Sequence, residues 1–178
     1  MMTTEQTTQE DLFYVVDSRS TVGTNAQFWA IGGGYTTSLE LAELSTKDRA
    51  LNLYRFRDTD IPVPASFLEG KKRQRVDMQL LPRINKVEPT DLLTTELCVI
   101  IESNRYDGND CYFVTKASKS SPEFNKALQL PDYAAIELAK ENARLTVYRL
   151  WDLKPLVRNT GAAKLITKKA LLYACYYE

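Results

Sequence analysis

The feature that most constrains this chain is an internal repeat. The stretch DLFYVVDSRSTVGTNAQFWAI, from Asp11, lies over ELCVIIESNRYDGNDCYFVTK, from Glu96, at an offset of 85 residues and without a gap. Leu12 meets Leu97, Ser18 meets Ser103, Gly23 meets Gly108 and Phe28 meets Phe113, while Val15/Ile100, Val16/Ile101 and Asp17/Glu102 are chemical equivalents. The same offset carries Ala42 onto Ala127, Ala50 onto Ala135, Leu51 onto Ile136 and Leu53 onto Leu138. A shared hydrophobic register with a shared glycine over this length reads as two diverged copies of one module.

Each copy opens with an apolar, β-branched run, LFYVV or LCVII, which suits a strand buried on both faces. A polar segment containing Gly follows, DSRSTVGTN or ESNRYDGND, and reads as a hairpin loop because Gly, Asn and Asp tolerate positive φ. The returning strands are AQFWAI and CYFVTK, expected to pair antiparallel with the first. Helices come next. STKDRALNLYRF starts at Ser45 with Asp48 three residues on, in the manner of a capping box. In the second copy Asp132 is placed to cap YAAIELAKENA. A shorter helix is expected before each, in SLELAEL and in SPEFNKAL, the latter with Ser121 and Pro122 as N-cap and N1. DIPVPASF is broken by proline and is at most an edge strand; RLTVYRLW is a strand. KLITKKALLYACYYE is either a helix or a strand.

The predicted fold class is therefore α+β. It consists of two tandem diverged modules, each an antiparallel β-hairpin followed by one or two helices and a further strand. The first module spans 11–81, the segment 82–91 with Pro82 and Pro89 is the linker, and the second module spans 92–178. Units of this size sit near the lower limit for an independent core, so the two are expected to pack as one compact body.

Composition narrows the function classes. Lys plus Arg and Asp plus Glu both number 23, so there is no net charge to draw the chain to nucleic acid or to an anionic membrane. No apolar run suits a membrane span. The polar start MMTTEQTTQEDL differs from a secretory signal, and Cys98, Cys111 and Cys175 lack CxxC spacing, which together predict a reduced, cytoplasmic setting with buried thiols. The chain has no histidine, which removes the commonest general base and metal ligand. Asp58, Asp60 and Glu69, or Asp107 and Asp110 in YDGND, are the carboxylates closest to a cation site. YDGND lacks the calcium-loop spacing, and turn chemistry explains it more simply. No cofactor, no metal and no catalytic residues are expected.

The run Gly32–Gly33–Gly34 follows a strand but lacks the lysine and spacing of a phosphate loop and the GxGxxG pattern of a dinucleotide site. The second copy has Ala117, Ser118 and Lys119 there, so the run is private to the first copy. VGTNAQFWAIGGGYTTSLELAELSTKDRAL resembles a small domain of uncharacterised phage and prophage accessory proteins. The resemblance rests on Gly23, Phe28, Trp29, Gly34, Tyr35, Thr36, Thr37, Ala42 and Ala50, with Thr24 where Asn is more usual. It implies a phage-encoded modulator of a host or of its defences, acting in the host cytoplasm.

Two sets of binding residues stand out. Trp29 and Tyr35 flank the glycines, and strand alternation puts Phe28 and Trp29 on opposite faces, so at least one is accessible. Lys71, Lys72, Arg73 and Arg75 in GKKRQR form the densest cationic run, with Lys164, Lys168 and Lys169 as a second cluster and Arg158 near the repeat position of the first. The leading expectation is a non-enzymatic protein that binds a host bacterial protein through aromatic and arginine side chains. The alternative is a nucleic-acid or nucleotide-binding module built on 71–75 and an exposed aromatic.

Overall fold

The computed structural model describes residues 12–91, 94–116 and 119–166. Its architecture is α+β, with two similar antiparallel sheets. In the first copy the order is β1 (Leu12–Val22), β2 (Asn25–Trp29), β3 (Tyr35–Thr36), β4 (Ser45–Thr46), α1 (Lys47–Phe56), β5 (Asp60–Pro64), α2 (Ala65–Glu69) and β6 (Arg73–Val76), then a 3-10 turn at Met78–Arg83. The second copy has β7 (Leu97–Asp107), β8 (Asp110–Val114), β9 (Ser120–Ser121), β10 (Leu130–Pro131), α3 (Asp132–Ala139), β11 (Leu145–Arg149), α4 (Leu150–Leu153), β12 (Val157–Thr160) and α5 (Ala163–Ile166).

The 85-residue offset is kept at the level of hydrogen bonds. Val16 faces Phe28 as Ile101 faces Phe113. The register of the β1–β2 pair slips between Asp17 and Thr21, and that of β7–β8 between Glu102 and Tyr106, which are the same repeat positions. Such a bulge bends and twists the long strand and re-aims the side chains within it. Gly23 and Gly108 turn both hairpins at positive φ, 59° and 64°. The long strand is central in both sheets. β1 pairs with β2, β4 and β5, and β7 with β8, β10 and β11. Alternate residues of each run pack into different cores. Tyr14 and Val16 enter one, and Phe13 and Val15 beside Ala50 another; Val99 and Ile101 enter one, and Cys98 and Ile100 beside Ala135 another. FYVV and CVII are therefore uninterrupted apolar runs and buried throughout.

Each sheet carries its core on the same repeat positions. In one, Phe28 packs edge-on against Tyr14, with ring centroids 5.6 Å apart; in the other, Phe113 meets Phe124 at 5.4 Å. Around them lie Val16, Ala42, Ile61, Val63 and Leu68 in the first, and Val99, Ile101, Ala127, Tyr148 and Leu153 in the second.

Several local expectations shift. The N-cap of α1 is Thr46 rather than Ser45, its hydroxyl accepting from the Arg49 N–H. Asp132 is the first residue of α3 rather than its cap, and its carboxylate accepts from the N–H of Tyr133 and from the Thr94 hydroxyl. SLELAEL forms no helix; the Thr36 hydroxyl accepts from the Ser38 N–H and the chain turns. SPEFNKAL keeps one 3-10 turn, Phe124–Lys126, and Ser121 forms a side-chain turn onto the Glu123 N–H instead of a helix cap. A single turn repays little of the cost of helix nucleation, so local hydroxyl bonds win. DIPVPASF divides into edge strand β5 and helix α2. The C-terminal segment is helical over Ala163–Ile166; beyond that, with Cys175, Lys168 and Lys169, it lies outside the described residues.

The chain divides into two compact units, at different places from those expected. Among the described residues the first unit holds 12–73 and 159–166, and the second holds 74–158. The division falls at Arg73/Gln74, not in 82–91. Val87, from the expected linker, is buried among Cys98, Ile100, Ala135 and Val147 and donates its N–H to the Val147 carbonyl. An apolar residue between two prolines is thus part of a core. Residues from Asn159 onward, expected in the second module, belong to the first unit. Gly161 shows why: a Cβ there would lie 2.9 Å from the Phe28 ring, so only glycine lets the strand pass that core aromatic.

Candidate functional site

Trp29 and Tyr35 lie together on the first unit. They are cross-strand partners on β2 and β3, with rings meeting edge-on at 6.5 Å and 89°. The strands are joined by the loop Ala30–Gly34, closed by the Ala30 N–H on the Gly34 carbonyl at 3.1 Å. Gly32, Gly33 and Gly34 have φ of 83°, 105° and 76°, and nothing lies within 4 Å of a Cβ built on any of them. The glycines serve the left-handed path of the loop, not a close approach by another group.

Two carboxylate–guanidinium pairs converge on the Tyr35 phenol. Asp17 on β1 and Asp60 on β5 are direct cross-strand partners. Two carboxylates so placed repel unless each is neutralised. Asp17 takes both Nε and Nη2 of Arg19, at 2.8 and 2.9 Å, and Asp60 takes both Nε and Nη2 of Arg57. The same Nη2 atoms then donate to the Tyr35 oxygen, from Arg19 at 3.1 Å and from Arg57 at 3.0 Å. The Trp29 indole N–H donates to Asp60 Oδ1 at 3.3 Å, and the Arg57 guanidinium lies 5.5 Å from the Trp29 ring centre. The hydrogen bonds from Arg19 hold the Asp17 carboxyl below the usual carboxylate range, and its bonds to Asp60 and Tyr35 push Arg57 up. Charge is matched within the cluster, which orients Tyr35 firmly.

Arg19, Arg57, Asp17 and Asp60 were not among the binding residues expected from sequence. One signal was present: Asp17 and Arg19 stand two apart in a strand, hence on one face. The Arg57–Asp60 half depends on the turn between α1 and β5 and carries no sequence pattern.

The basic run 71–75 does not form one face. Lys71 donates to the Phe67 carbonyl and lies 4.1 Å from the Phe67 ring centre; Lys72 pairs with Glu69 at 2.6 Å. Both remain on the surface. Arg73 turns inward onto the Thr24 carbonyl, Asn25 Oδ1 at 2.8 Å and the Gly161 carbonyl. Arg75 is 2% exposed and faces Asp107 at 3.5 Å and Asp110 at 4.0 Å. Strand alternation in β6 explains this, since Arg73 and Arg75 share the face opposite Gln74. No group of three or more acidic or cysteine side chains positioned for a metal occurs among the described residues. Cys98 and Cys111 are buried thiols, with burial pushing Cys98 up to about 11 and Cys111 up to about 12.

The first copy also exposes large apolar side chains, one of them, Ile31, in the glycine loop itself. Ile31 is 68% exposed and Leu41 61%, the two joined by the Ile31 N–H on the Leu41 carbonyl; Tyr35 is 43% exposed, and Leu44 and Phe56 are also exposed. The repeat supplies a control for each position. Where the first copy has Ile31, Tyr35, Leu41, Leu44 and Phe56, the second has Lys116, Ser120, Lys126, Gln129 and Glu141. The closing bond of the loop recurs in the second copy, the Thr115 N–H donating to the Lys119 carbonyl at 2.8 Å. The module therefore folds with charged or polar residues at all five places. No protein-family model, curated protein or solved structure matches the chain.

Proposed function

We propose that this chain is a non-enzymatic binding protein that engages a protein partner through the surface around its glycine loop, centred on Tyr35. The observation that carries this reading is the copy-by-copy contrast. Five exposed positions are apolar or aromatic in the first copy and charged or polar at the corresponding places of the second. Solvent-facing apolar side chains that the fold does not need reflect a surface that is covered in use. A rigidly held tyrosine beside arginines matches the residue types that anchor protein interfaces. The second unit also exposes Tyr106, Tyr133 and Trp151, on β7, α3 and α4.

The partner class follows from the resemblance to phage accessory domains: a host bacterial protein, the binding serving takeover or counter-defence in the host cytoplasm. A nucleic-acid reading is weaker, because it needs a continuous cationic face and Arg73 and Arg75 point inward.

The experiment compares proteins captured from nuclease-treated bacterial lysate by the wild-type chain and by Ile31→Lys/Tyr35→Ser/Leu41→Lys. These substitutions install the second copy's own residues. The reading predicts a stoichiometric partner whose affinity for the variant falls tenfold or more, about 1.4 kcal/mol. Equal capture by both proteins contradicts it.

A further inference from the structure

The strands β6 and β12 are each followed by a segment that completes a unit, and their buried polar groups differ in a matched way. Residues 74–158 form one continuous unit with the length of the repeat. The first unit has the same parts in another order, its final part supplied by residues from Asn159 on. The bridge between Asp77 and Asp110 in the second unit recurs as that between Ala162 and Asn25 in the first. Each unit body therefore holds an equivalent slot filled by an equivalent segment.

In the second unit the slot carries Asp107, Asp110 and Arg158, and the incoming segment brings Arg75 and Asp77. Arg158 Nη2 donates to Asp110 at 2.6 Å and Nη1 lies 3.7 Å from Asp77, while Arg75 faces Asp107 and Asp110. Asp110 is fully buried and Arg75 nearly so. In the first unit the same positions are Val22, Asn25 and Arg73, with Thr160 and Ala162 incoming. The Thr160 hydroxyl donates to Asn25 Oδ1 at 3.0 Å, beside the bond from Arg73. Thus the slot with a carboxylate pair receives an arginine, and the slot with an amide and a valine receives a hydroxyl.

We propose that these groups are a recognition key that assigns each terminal segment to its slot. The segment carrying Arg75 is selected by Asp107 and Asp110, and the segment carrying Thr160 by Asn25. With the segments interchanged, Arg75 would meet Arg73 beside Asn25 and Val22, with no carboxylate at those positions. Asp107 and Asp110 would then meet Thr160 and Ala162 in place of the Arg75 guanidinium. Buried charges left uncompensated are costly, and removing one partner of a buried pair is far worse than replacing both. The key acts through mismatch as much as through attraction.

The test is a double-mutant cycle on the full chain, measured by urea unfolding, followed by refolding. Arg75→Thr alone and the pair Asp107→Val/Asp110→Asn alone should each raise the unfolding equilibrium constant. Together they should restore it by at least about fivefold relative to independent effects. The combined variant, whose two slots are now alike, should refold from urea into more than one species by gel filtration or by doubled amide resonances. The wild type should return as one. Additive effects in the cycle, or a combined variant that refolds to a single wild-type-like species, would overturn the proposal. Arg75→Lys reports on fold loss: retaining charge, it should leave the refolded product single, and a mixture from Arg75→Lys would also count against the key.

Discussion

Tyr35 owes its orientation to ion pairs in which it takes no part as a charge. Asp17 and Asp60 face each other across two strands, each is closed by an arginine, and the spare N–H of each arginine meets the phenol. Tyr35→Phe should therefore keep the ring but free both arginines, weakening partner binding less than Tyr35→Ser; titration of the captured partner against both variants checks this. Asp17 gives a second prediction. Its carboxyl is held low by Arg19, so the folded state binds that proton less readily than the unfolded chain. The stabilisation is complete above the ordinary carboxylate value near 4 and is lost as pH falls through the lower folded value. Urea midpoints from pH 6 to 2 should fall less steeply on the acid side for Asp17→Asn than for wild type. Asp132 and Glu40, also held low by the bonds they accept, retain the remainder of the slope.

At the scale of elements, strands buried on both faces and turns that require glycine were legible in the sequence. Both follow from local chemistry: β-branched runs for β1 and β7, positive φ for Gly23 and Gly108. The segments before α1 and α3, expected to be short helices, were not, because a single turn is decided by competing side-chain bonds such as the Ser38 N–H on the Thr36 hydroxyl. The pairing of Trp29 with Tyr35 was legible as proximity, whereas Arg57 enters only through the α1–β5 turn. Gly161 showed no local signal at all, since its need comes from Phe28, distant in sequence. Two glycine substitutions separate these causes. Gly33→Ala, open in space but at φ 105°, should cost about 1–2 kcal/mol from backbone strain alone. Gly161→Ala should cost about 1–3 kcal/mol by overpacking against Phe28 and Ile166, and should cost less in a Phe28→Ala background. Thermal unfolding of the wild type, the three single variants and the Gly161→Ala/Phe28→Ala chain measures both.

At the scale of the molecule, the repeat predicted the two modules but not which residues complete each one. The equivalence of β6 with β12 was invisible while 82–91 looked like a spacer and 159–166 like the tail of the second copy. Contacts made far along the chain decide it: Thr160 is fully buried against Asn25, and Ile166 packs in the core beside Phe28. The most direct measurement is hydrogen exchange on a chain ending at Arg158. If residues from Asn159 on complete the first unit, amides of β1 and β2 should lose protection while those of β7 and β8 keep it, because the second unit is continuous from Gln74 to Arg158. Equal protection of both hairpins, or loss confined to β7 and β8, would contradict this account of the fold.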